Sequence, residues 1–573
     1  MSLHFIDFEV FSHDWLCVIQ SPEVGETVIV NDENALTKYY EARKNELFIG
    51  YNIRGYDQFI FKAILLGMNP KLVNDFIIAD GNSGYQYSRE FNKIPLYFFD
   101  VKTTMVGLKT LEAFMGEDIR ETTVPFDIDR KLTAAELDEV IFYCRHDVEE
   151  TIKVFQQRSE EFTSQLELVK MFNFPITYMG KTKAQLSAAA LGAERKKYDD
   201  EFDFSIPNNL NIKKYQFVVD WFSDRIGKKD DNFYQDKLEC EVANVPTVFA
   251  WGGIHGAIPN YVGEGYFVNV DVASYYPSMM IECGHTSRSI KDPNKYKEIY
   301  HTRLAYKARK DKRANPLKIV LNSTYGAMKD KYNPLYDPRQ ANNVCVTGQL
   351  LLLDLIEHLE PYFDLIQYNT DGILVKLRAT NDKEADREFA RLDDMCYEWE
   401  KRSKMNLEFD QFSKVWQSDV NNYVIIAADG SYKAKGAVVK KLNDLDYDLP
   451  IVNKAVVNFI VHKKPIADTI NECNDLREFQ KIYKVSSNYL YAMHNNTKLS
   501  ETVFRVFAST DLNDTALFKV KNEDKNPEKF ASCPDNCFID NSKVIGKSLP
   551  NKLNKSWYIN EAENRLQRFL PKE

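Results

Sequence analysis

The stretch Gln367–Val375, QYNTDGILV, joins two β-prone apolar runs through a short polar turn that carries a single carboxylate, Asp371. An Asp-Gly pair between apolar runs predicts a β-hairpin. Taken alone, the stretch predicts a turn whose aspartate is exposed to solvent. An uncharged residue, Asn369, stands two positions before Asp371. A catalytic role for Asp371 therefore requires a second carboxylate, brought beside it from elsewhere in the chain.

The composition is typical of a soluble globular protein with several domains. The chain has 573 residues, of which 44% are hydrophobic and 28% charged, and roughly 150 residues per domain suggests three or four domains. Nine scattered cysteines indicate a reducing compartment. The net charge of −10 argues weakly against nucleic acid as a partner, but residues 306–313 and 432–441 are basic islands. We expect no signal peptide and no membrane span.

The periodicity of the chain predicts alternating strands and helices. Residues 3–11, 46–53 and 96–105 have the character of strands, and a capping box at Thr133 and Glu136 predicts a helix start. Residues 295–326 have the pattern of two helices broken near Asn315 and Pro316. Residues 348–363 predict a further helix, which ends shortly before the hairpin.

Four acidic residues in the first part of the chain form a candidate metal site. Asp7 and Glu9 share one face of a predicted strand, Asp57 ends a second element, and Tyr143 and Asp147 share one face of a predicted helix. Such acids can bind two Mg²⁺ ions about 3.5–4 Å apart, which cleave a phosphodiester through an activated water. Each pair taken singly is more often an exposed surface feature, so the order and spacing of all of them carry the hypothesis.

This pattern resembles the 3′–5′ proofreading exonuclease domain of family B DNA polymerases, which implies a ribonuclease H-like fold. The residues that match the three exonuclease motifs are Asp7 and Glu9, then Asn52, Tyr56 and Asp57, then Tyr143 and Asp147. The resemblance implies that Asn52 and Tyr56 contact DNA. Lys131 matches the place of a catalytic lysine in the small protein-primed bacteriophage polymerases, and a solvated lysine at a helix start is the alternative interpretation.

The segment DVASYYP, Asp271–Pro277, resembles the first polymerase motif of the same family. The resemblance implies that Asp271 and the backbone carbonyl of Val272 bind metal, and that Ser274, Tyr275 and Tyr276 line the nucleotide site. Tyr276 matches the ring that excludes a ribose 2′-hydroxyl. The alternative interpretation of this segment alone is an aromatic turn packed in a core.

The segment KIVLNSTYG, residues 318–326, resembles the second polymerase motif. Its Lys318, Asn322 and Tyr325 fall on one helical stripe, suited to hold a phosphate and to stack on a base, and Gly326 is expected to end the helix. The preceding helix is expected to carry a second cationic stripe of Arg303, Lys307 and Lys310. Together the two helices predict a fingers hairpin that binds a triphosphate.

The opening stretch resembles the third motif, Y-x-D-T-D-S, with Asp371 as its second aspartate and Asn369 in place of its first. Gln367 and Gly372 also depart from the motif. Asp271 and Asp371 are then the expected pair of metal ligands. Two further segments resemble DNA-contacting motifs of the family, through the residues Gly252 and Gly253, then Tyr423 and Lys435, although Ala250 and Asn421 replace a tyrosine and a lysine.

We therefore predict an α/β multidomain protein with a ribonuclease H-like exonuclease domain and a right-hand polymerase of palm, fingers and thumb. The predicted domains are 1–190, exonuclease; 191–284, palm, N-terminal part; 285–328, fingers; 329–440, palm, C-terminal part; and 441–573, thumb and C-terminal region. The short intervals between the motifs leave little room for the insertions of protein-primed members. The pattern favours a related bacteriophage-type enzyme.

The predicted activity is that of a DNA-directed DNA polymerase, a nucleotidyltransferase, with a 3′–5′ exonuclease. We expect two Mg²⁺ ions at each site, with Mn²⁺ as a substitute, and primer–template DNA, dNTPs and replisome proteins as partners. We also expect a monomer without membrane association, located in the cytoplasm of a bacterial host. The alternatives are an exonuclease whose polymerase half has decayed, with Asn369 as the lesion, and a non-catalytic nucleic-acid-binding protein.

Overall fold

Helices accompany one mixed and three antiparallel β-sheets in this α/β protein, whose computed structural model describes residues 2–522 and 525–572. The strands are β1 Leu3–Val10, β2 Trp15–Ser21, β3 Gly25–Val30, β4 Leu47–Gly50, β5 Phe98–Asp100, β6 Lys237–Val242, β7 Val245–Ala250, β8 Gly253–Ala257, β9 Tyr261–Val272, β10 Asp364–Tyr368, β11 Gly372–Lys376, β12 Leu407–Asp419, β13 Asn422–Ile426, β14 Tyr432–Lys435, β15 Lys481–Lys484, β16 Tyr491–His494, β17 Thr497–Leu499, β18 Val503–Ala508, β19 Phe518–Val520, β20 Glu528–Lys529 and β21 Cys537–Ile539. The helices are α1 Glu33–Arg43, α2 Asp57–Leu65, α3 Pro70–Ile78, α4 Leu108–Met115, α5 Ala134–Gln157, α6 Ser159–Met171, α7 Lys183–Ala190, α8 Gln216–Ser223, α9 Tyr275–Glu282, α10 Lys295–Ala308, α11 Ala314–Lys329, α12 Pro338–Leu359, α13 Asp382–Ser403, α14 Pro450–His462, α15 Ile466–Glu472 and α16 Lys555–Gln567.

The chain divides into two compact units. The first contains Met1–Lys181, Leu442–Val452 and Ile470–Asn560, and the second contains Thr182–Lys441, Asn453–Thr469 and Glu561–Glu573. The second unit begins close to the predicted boundary at 190, whereas residues 470–560, predicted as part of a thumb region, pack with the first unit. The functions assigned to the domains from sequence stay predictions.

The first unit is built on a five-stranded sheet in the order β3-β2-β1-β4-β5, in which β1 pairs with β4 in parallel and with β2 antiparallel. Strand β1 alternates as expected. Ile6, Phe8 and Val10 join a hydrophobic core on one side of the sheet, and Phe5 packs edge-on against Phe155 of α5 on the other, with ring centroids 5.2 Å apart. Asp7 and Glu9, which alternate with the core residues, therefore face α5.

Helix α5 begins at the capping box that the sequence predicts. The Thr133 hydroxyl accepts a bond from the Glu136 backbone N–H, and the Glu136 carboxylate accepts one from the Thr133 backbone N–H. Both interactions pair amides that the first turn of a helix otherwise leaves unbonded. The helix then runs for 24 residues and carries Tyr143 and Asp147 across the sheet.

The second unit contains a nine-stranded sheet in the order β14-β13-β12-β9-β11-β10-β8-β7-β6. Strand β9 lies in its interior and pairs antiparallel with β11 and β12. The predicted hairpin is present as β10 and β11, but its turn consists of residues 369–371 and Gly372 already belongs to β11. The Asp-Gly pair therefore lies at the end of the turn rather than at its centre.

Three local predictions about the two cationic helices were wrong. The break between α10 and α11 covers residues 309–313, and Pro316 lies in the first turn of α11, where a missing N–H costs nothing. Lys310 follows the end of α10 with a φ of 55° and is not on its stripe. Gly326 does not end α11, which continues to Lys329, because this glycine does not adopt the positive φ of a helix stop.

All nine cysteines are free thiols in the structure. Within residues 2–522 and 525–572, no helix combines the length and the apolar character needed to cross a bilayer.

Candidate active sites

The first carboxylate cluster lies where β1, α2 and α5 meet in the first unit. Ligand atoms of Asp7, Glu9 and Cys144 lie within 4.8 Å of one another, and the Cys144 thiol is 3.6 Å from an Asp7 carboxylate oxygen. Asp57, the first residue of α2, is 2% exposed, and its Oδ1 has no hydrogen-bond partner among the described residues. Asp147 approaches from α5.

The electrostatics of this cluster favour a bound cation. Burial, followed by the charge of neighbouring acids, raises the pKa of Asp7 and Glu9 well above its usual range. Burial also raises the pKa of Asp57 to about 8 and that of Asp147 to about 6. Burial raises the pKa of the Cys144 thiol as well, so this group stays protonated beside the acids. Ionised acids at this density need a positive partner.

The structure places a lysine in this cluster that the sequence did not single out. Lys109 of α4 donates a hydrogen bond to Asp147, lies 3.2 Å from a carboxylate oxygen of the fully buried Glu112, and has its Nζ 4.5 Å from the centroid of the Tyr143 ring. In sequence, Lys109 and Glu112 have the spacing of an ordinary surface ion pair on a helix. Lys131, the predicted catalytic lysine, is exposed two residues before the α5 cap.

Asn52 and Tyr56, the predicted DNA contacts, lie in the loop between β4 and α2. Asn52 has a φ of 72°, and its N–H donates to Asp100 Oδ1 over 2.9 Å. Its side-chain oxygen accepts a bond of 3.3 Å from Lys102 Nζ. The Tyr56 hydroxyl donates to Asn74 Oδ1 over 2.7 Å. The loop is held by these bonds, and both side chains remain half-buried beside Asp57.

The second carboxylate cluster lies at the ends of β9 and β11 in the second unit. Gly372 stands opposite Asp271 in the strand register, and the Val272 N–H donates to the Asp371 carbonyl oxygen over 2.8 Å. A Cβ atom at Gly372 would overlap Asp271 Oδ1. Asn269 donates to the other Asp271 oxygen over 2.6 Å. The fold therefore supplies the second carboxylate that Asp371 requires.

Further charged residues that the sequence did not single out surround this pair. Glu408 stands opposite Asp271 on β12, and Asp410, two residues on, forms an ion pair of 2.7 Å with Lys433. Burial, followed by the charge of Asp371, raises the pKa of Asp271 to about 6. In the sequence LEFD, Glu408 and Asp410 alternate with apolar residues, which indicates that the two acids share one face of a strand. Only the strand pairing shows that Asp271 lies on the same face.

Asn369 has a structural function in the turn. Its side-chain oxygen accepts a bond of 3.2 Å from the Asp371 N–H, and its own N–H donates to the Gly372 carbonyl over 3.0 Å. This is the local bonding by which asparagine stabilises tight turns. The residue fixes the backbone at Asp371 without adding a negative charge of its own to the cluster.

The turn after β9 orients three of the predicted nucleotide-site residues. Ser274 has a φ of 52°, an uncommon conformation for a residue with a side chain. Tyr275 is buried against Gly348 of α12. Tyr276 is half-buried and stacks on Tyr325 of α11, with ring centroids 4.4 Å apart and planes 18° apart.

The residues predicted to bind a triphosphate differ in their exposure on the two cationic helices. Lys318 and Asn322 are exposed on α11. Arg303 lies on α10, and its Nε is buried without a hydrogen-bond partner among the described residues. An unpaired guanidinium nitrogen can bind an anion.

The two predicted DNA-contacting segments differ in their surroundings. Gly252 is exposed, whereas Gly253 is buried with a φ of 143°, and a Cβ there would lie 2.7 Å from Thr370 Oγ1, next to the turn of the second cluster. Tyr423 and Lys435 stand opposite each other on β13 and β14, with the lysine Nζ 5.8 Å from the ring centroid.

Comparison with known proteins finds similarity to archaeal DNA polymerases over part of the chain, although no family model matches. The chain is 24% identical over 202 residues to DNA polymerase 1 of Saccharolobus solfataricus and 23% identical over 200 residues to DNA polymerase 1 of Sulfurisphaera ohwakuensis. Each match covers 34% of this chain and 21% of the relative. A solved structure, the family B DNA polymerase of the hyperthermophilic archaeon Pyrobaculum calidifontis, has a TM-score of 0.42 and 13% identity, and the alignment covers 100% of this chain and 79% of that chain.

Proposed function

We propose that this chain is a template-directed DNA polymerase of family B with a 3′–5′ proofreading exonuclease. The observation that carries the proposal is the convergence of Asp271 and Asp371 at one end of adjacent strands, beside the stacked Tyr276 and Tyr325. A second, separate group of acids on β1, α2 and α5 supports the editing activity. The partial similarity to archaeal DNA polymerases supports the same family.

In the proposed synthesis reaction, the primer 3′-hydroxyl attacks the α-phosphate of a dNTP and pyrophosphate leaves. Lys318 and Arg303 neutralise charge on the triphosphate. The ring of Tyr276, held by stacking on Tyr325, closes the space that a ribose 2′-hydroxyl would need. The rigid turn at Asn369 keeps Asp371 beside Asp271.

In the proposed editing reaction, water attacks the last phosphodiester of a DNA 3′-end. Tyr143 is placed on the same face of α5 as Asp147 and can orient the attacking water through its hydroxyl. Lys109 holds Asp147 by a hydrogen bond and lies over the Tyr143 ring. Asn52 and Tyr56 are placed beside Asp57 to contact the DNA end.

The residues of both clusters fit divalent metal ions. Asp57 has a buried carboxylate oxygen without a partner in the described structure, and oxygen donors are those that Mg²⁺ prefers. We expect two Mg²⁺ ions at each site, with Mn²⁺ as a substitute. The residues that would hold them are Asp7, Glu9, Asp57 and Asp147 at one site, and Asp271, Asp371 and the Val272 carbonyl at the other. Bound there, the ions supply positive charge that stabilises the attacking and leaving oxygens.

The finer features of the proposal come from the sequence. The short intervals between its motifs favour a bacteriophage-type replicative enzyme that does not use protein priming. Primer–template DNA and dNTPs are its proposed ligands, and replisome proteins its proposed partners. Such an enzyme would work as a monomer in the cytoplasm of a bacterial host.

A primer-extension assay tests both activities together. An end-labelled primer on a longer template, with Mg²⁺, is incubated with and without dNTPs. We expect the primer to lengthen with dNTPs and to shorten without them. Asp371→Ala removes one acid of the second cluster and should abolish extension but spare shortening, and Asp7→Ala should do the reverse.

Substitutions of exposed acids on helices of the same units serve as controls. Asp394→Ala on α13 and Asp138→Ala on α5 should leave both activities unchanged. Shortening alone in the parent protein would favour an exonuclease with a decayed polymerase half. If neither reaction occurs, the chain is a non-catalytic nucleic-acid-binding protein. If Asp371→Ala and Asp7→Ala each lose both activities while folded, the assignment of two separate sites is wrong.

A further inference from the structure

The helix that carries Lys109 into the first cluster is held at its far end by a distant part of the chain. Helix α4 spans only eight residues, and the last carbonyl groups of any helix lack partners within it. In this unit, residues 477–505 supply side-chain donors to those carbonyls. The position of Lys109 therefore depends on chain contributed from more than 360 residues further on, as the bonds between Arg477 and Phe114 show.

Arg505 is the centre of this arrangement. It is 0% exposed, and its Nη2 donates to the carbonyl of Ala113 over 3.1 Å and to that of Glu117 over 2.7 Å. Its Nη1 donates to Ser542 O over 2.6 Å, and its Nε to Gln480 Oε1 over 3.1 Å. The guanidinium uses its planar set of donors to join α4 to two parts of the segment 470–560.

Two neighbouring side chains complete the cap. Arg477 donates to the Phe114 carbonyl over 2.8 Å, and Gln480 donates to the same oxygen over 3.1 Å. Backbone bonds add to the contact, since the Val544 N–H donates to Gly116 O over 2.9 Å. The backbone carbonyls at the C-terminal end of α4 are thus bonded to side chains and to a backbone amide of the segment 470–560.

The N-terminal end of the same short helix meets the acids. Lys109 stands one turn before Ala113, and it bonds to Asp147 and lies over the Tyr143 ring. Because α4 is a rigid element of about two turns, a rotation or shift at its C-terminal end moves the lysine by a similar amount. A misplacement of about 1 Å at a catalytic group can cost about a hundredfold in rate.

We propose that Arg505 is a positioning residue of the exonuclease reaction, which caps α4 and so holds Lys109 against Asp147 and Tyr143. The inference rests on the proposed exonuclease function of the first cluster. It assigns to the segment 470–560 a part in editing, in addition to any contact that this segment makes with DNA.

The test is a double-mutant cycle on the full chain with a single-stranded oligonucleotide and saturating Mg²⁺. Lys109→Met should lower kcat for shortening about a hundredfold, and Arg505→Lys, which keeps the charge but loses the planar donors, about tenfold, with KM unchanged in both. The Arg505→Lys/Lys109→Met double variant should be no slower than Lys109→Met alone, because Arg505 acts through Lys109. Extension of a primer, measured in the same preparations, should be unchanged.

Lys552→Met is the matched control, because this lysine of the same segment pairs with Asp514 over 3.0 Å. It should leave shortening unchanged. Should Arg505→Lys fail to fold, Arg477→Met removes a partly exposed donor from the same helix end and enters the same cycle. Unchanged kcat in the Arg505 or Arg477 variant, or rate losses that multiply in the double variant, would overturn the inference. Absence of shortening in the parent protein would instead refute the proposed function itself, and this inference with it.

Discussion

At the scale of single residues, the second cluster explains why a glycine follows Asp371. The resembled motif has a serine at this position, but in this chain β11 runs directly beside the Asp271 side chain. A Cβ at Gly372 would overlap Asp271 Oδ1. The glycine therefore leaves room for the Asp271 carboxylate in the position that it adopts here, and no special backbone angle explains it, since its φ is not in the left-handed region.

Replacement of this glycine should impair synthesis selectively. We expect Gly372→Ala to displace Asp271 and to lower the rate of primer extension about a hundredfold, because the added methyl group competes for the space of a carboxylate oxygen that is proposed to bind metal. Shortening of a single-stranded oligonucleotide should be unaffected. The measurements are the two rates and the circular dichroism spectrum of the variant.

A second glycine provides the control for this substitution. At Gly107 a Cβ would meet only the tip of Lys484, 3.5 Å away, which is ordinary contact distance. Gly107→Ala should therefore extend primers at the parental rate. An unchanged extension rate in Gly372→Ala would show that Asp271 is not constrained as the strand register indicates.

At the scale of elements, α5 shows how local sequence signals predict both the start of a helix and the face that it turns to the sheet. The capping box fixes where the helix begins, and the period of 3.6 residues then determines that Tyr143 and Asp147 share the face turned to β1. The cap is exposed, more than two turns before Tyr143. It contributes to the stability of the helix more than to the geometry of the acids.

We expect Thr133→Ala to lower the free energy of unfolding of the first unit by about 1 kcal/mol, because the helix loses its N-cap acceptor. Thr133→Ser, which keeps the hydroxyl, should be close to the parent. The measurement is urea denaturation followed by circular dichroism. A rate of shortening within about twofold of the parent is expected for both variants. A loss of shortening in Thr133→Ala without a loss of stability would show that the cap acts on the position of the acids rather than on the stability of the helix.

At the scale of the whole molecule, the buried acids of the first cluster are expected to make stability depend on pH. The pKa of Asp57 is raised to about 8 and that of Asp147 to about 6, and burial is the first cause for both. Between pH 4 and pH 8 the folded protein therefore holds protons that the unfolded chain has released. Stability without metal then falls as the pH rises through this range.

Mg²⁺ should reverse this loss if, as proposed, it binds the ionised acids of the folded chain. We expect saturating Mg²⁺ to raise the Tm by at least about 2 °C more at pH 8 than at pH 6, measured by calorimetry. Asp57→Asn should be more stable than the parent without Mg²⁺ at pH 8 and should respond less to the ion. An equal increase in Tm at both pH values would mean that these acids do not bind the metal.

Local patterns predicted much of the architecture. Strand β1, the α5 cap and the hairpin after α12 follow from alternation, capping and turn residues, because these signals act between near neighbours in the chain. The ends of α10 and α11 were misplaced because proline is tolerated in a first turn and because Gly326 needs no positive φ. Lys109, Glu408 and Asp410 were missed because their roles depend on contacts between elements that lie far apart in sequence.

The sequence by itself determined which residues are candidates for the proposed chemistry, since carboxylates, a lysine and tyrosines at these spacings are chemical properties of the chain. Only the tertiary structure decided which of them meet. The register of β9 and β11 sets Asp271 beside Asp371, and the packing of α4 against α5 sets Lys109 beside Asp147. The physical reason is that strand register and helix packing are settled by long-range burial and bonding, which no local window of sequence contains.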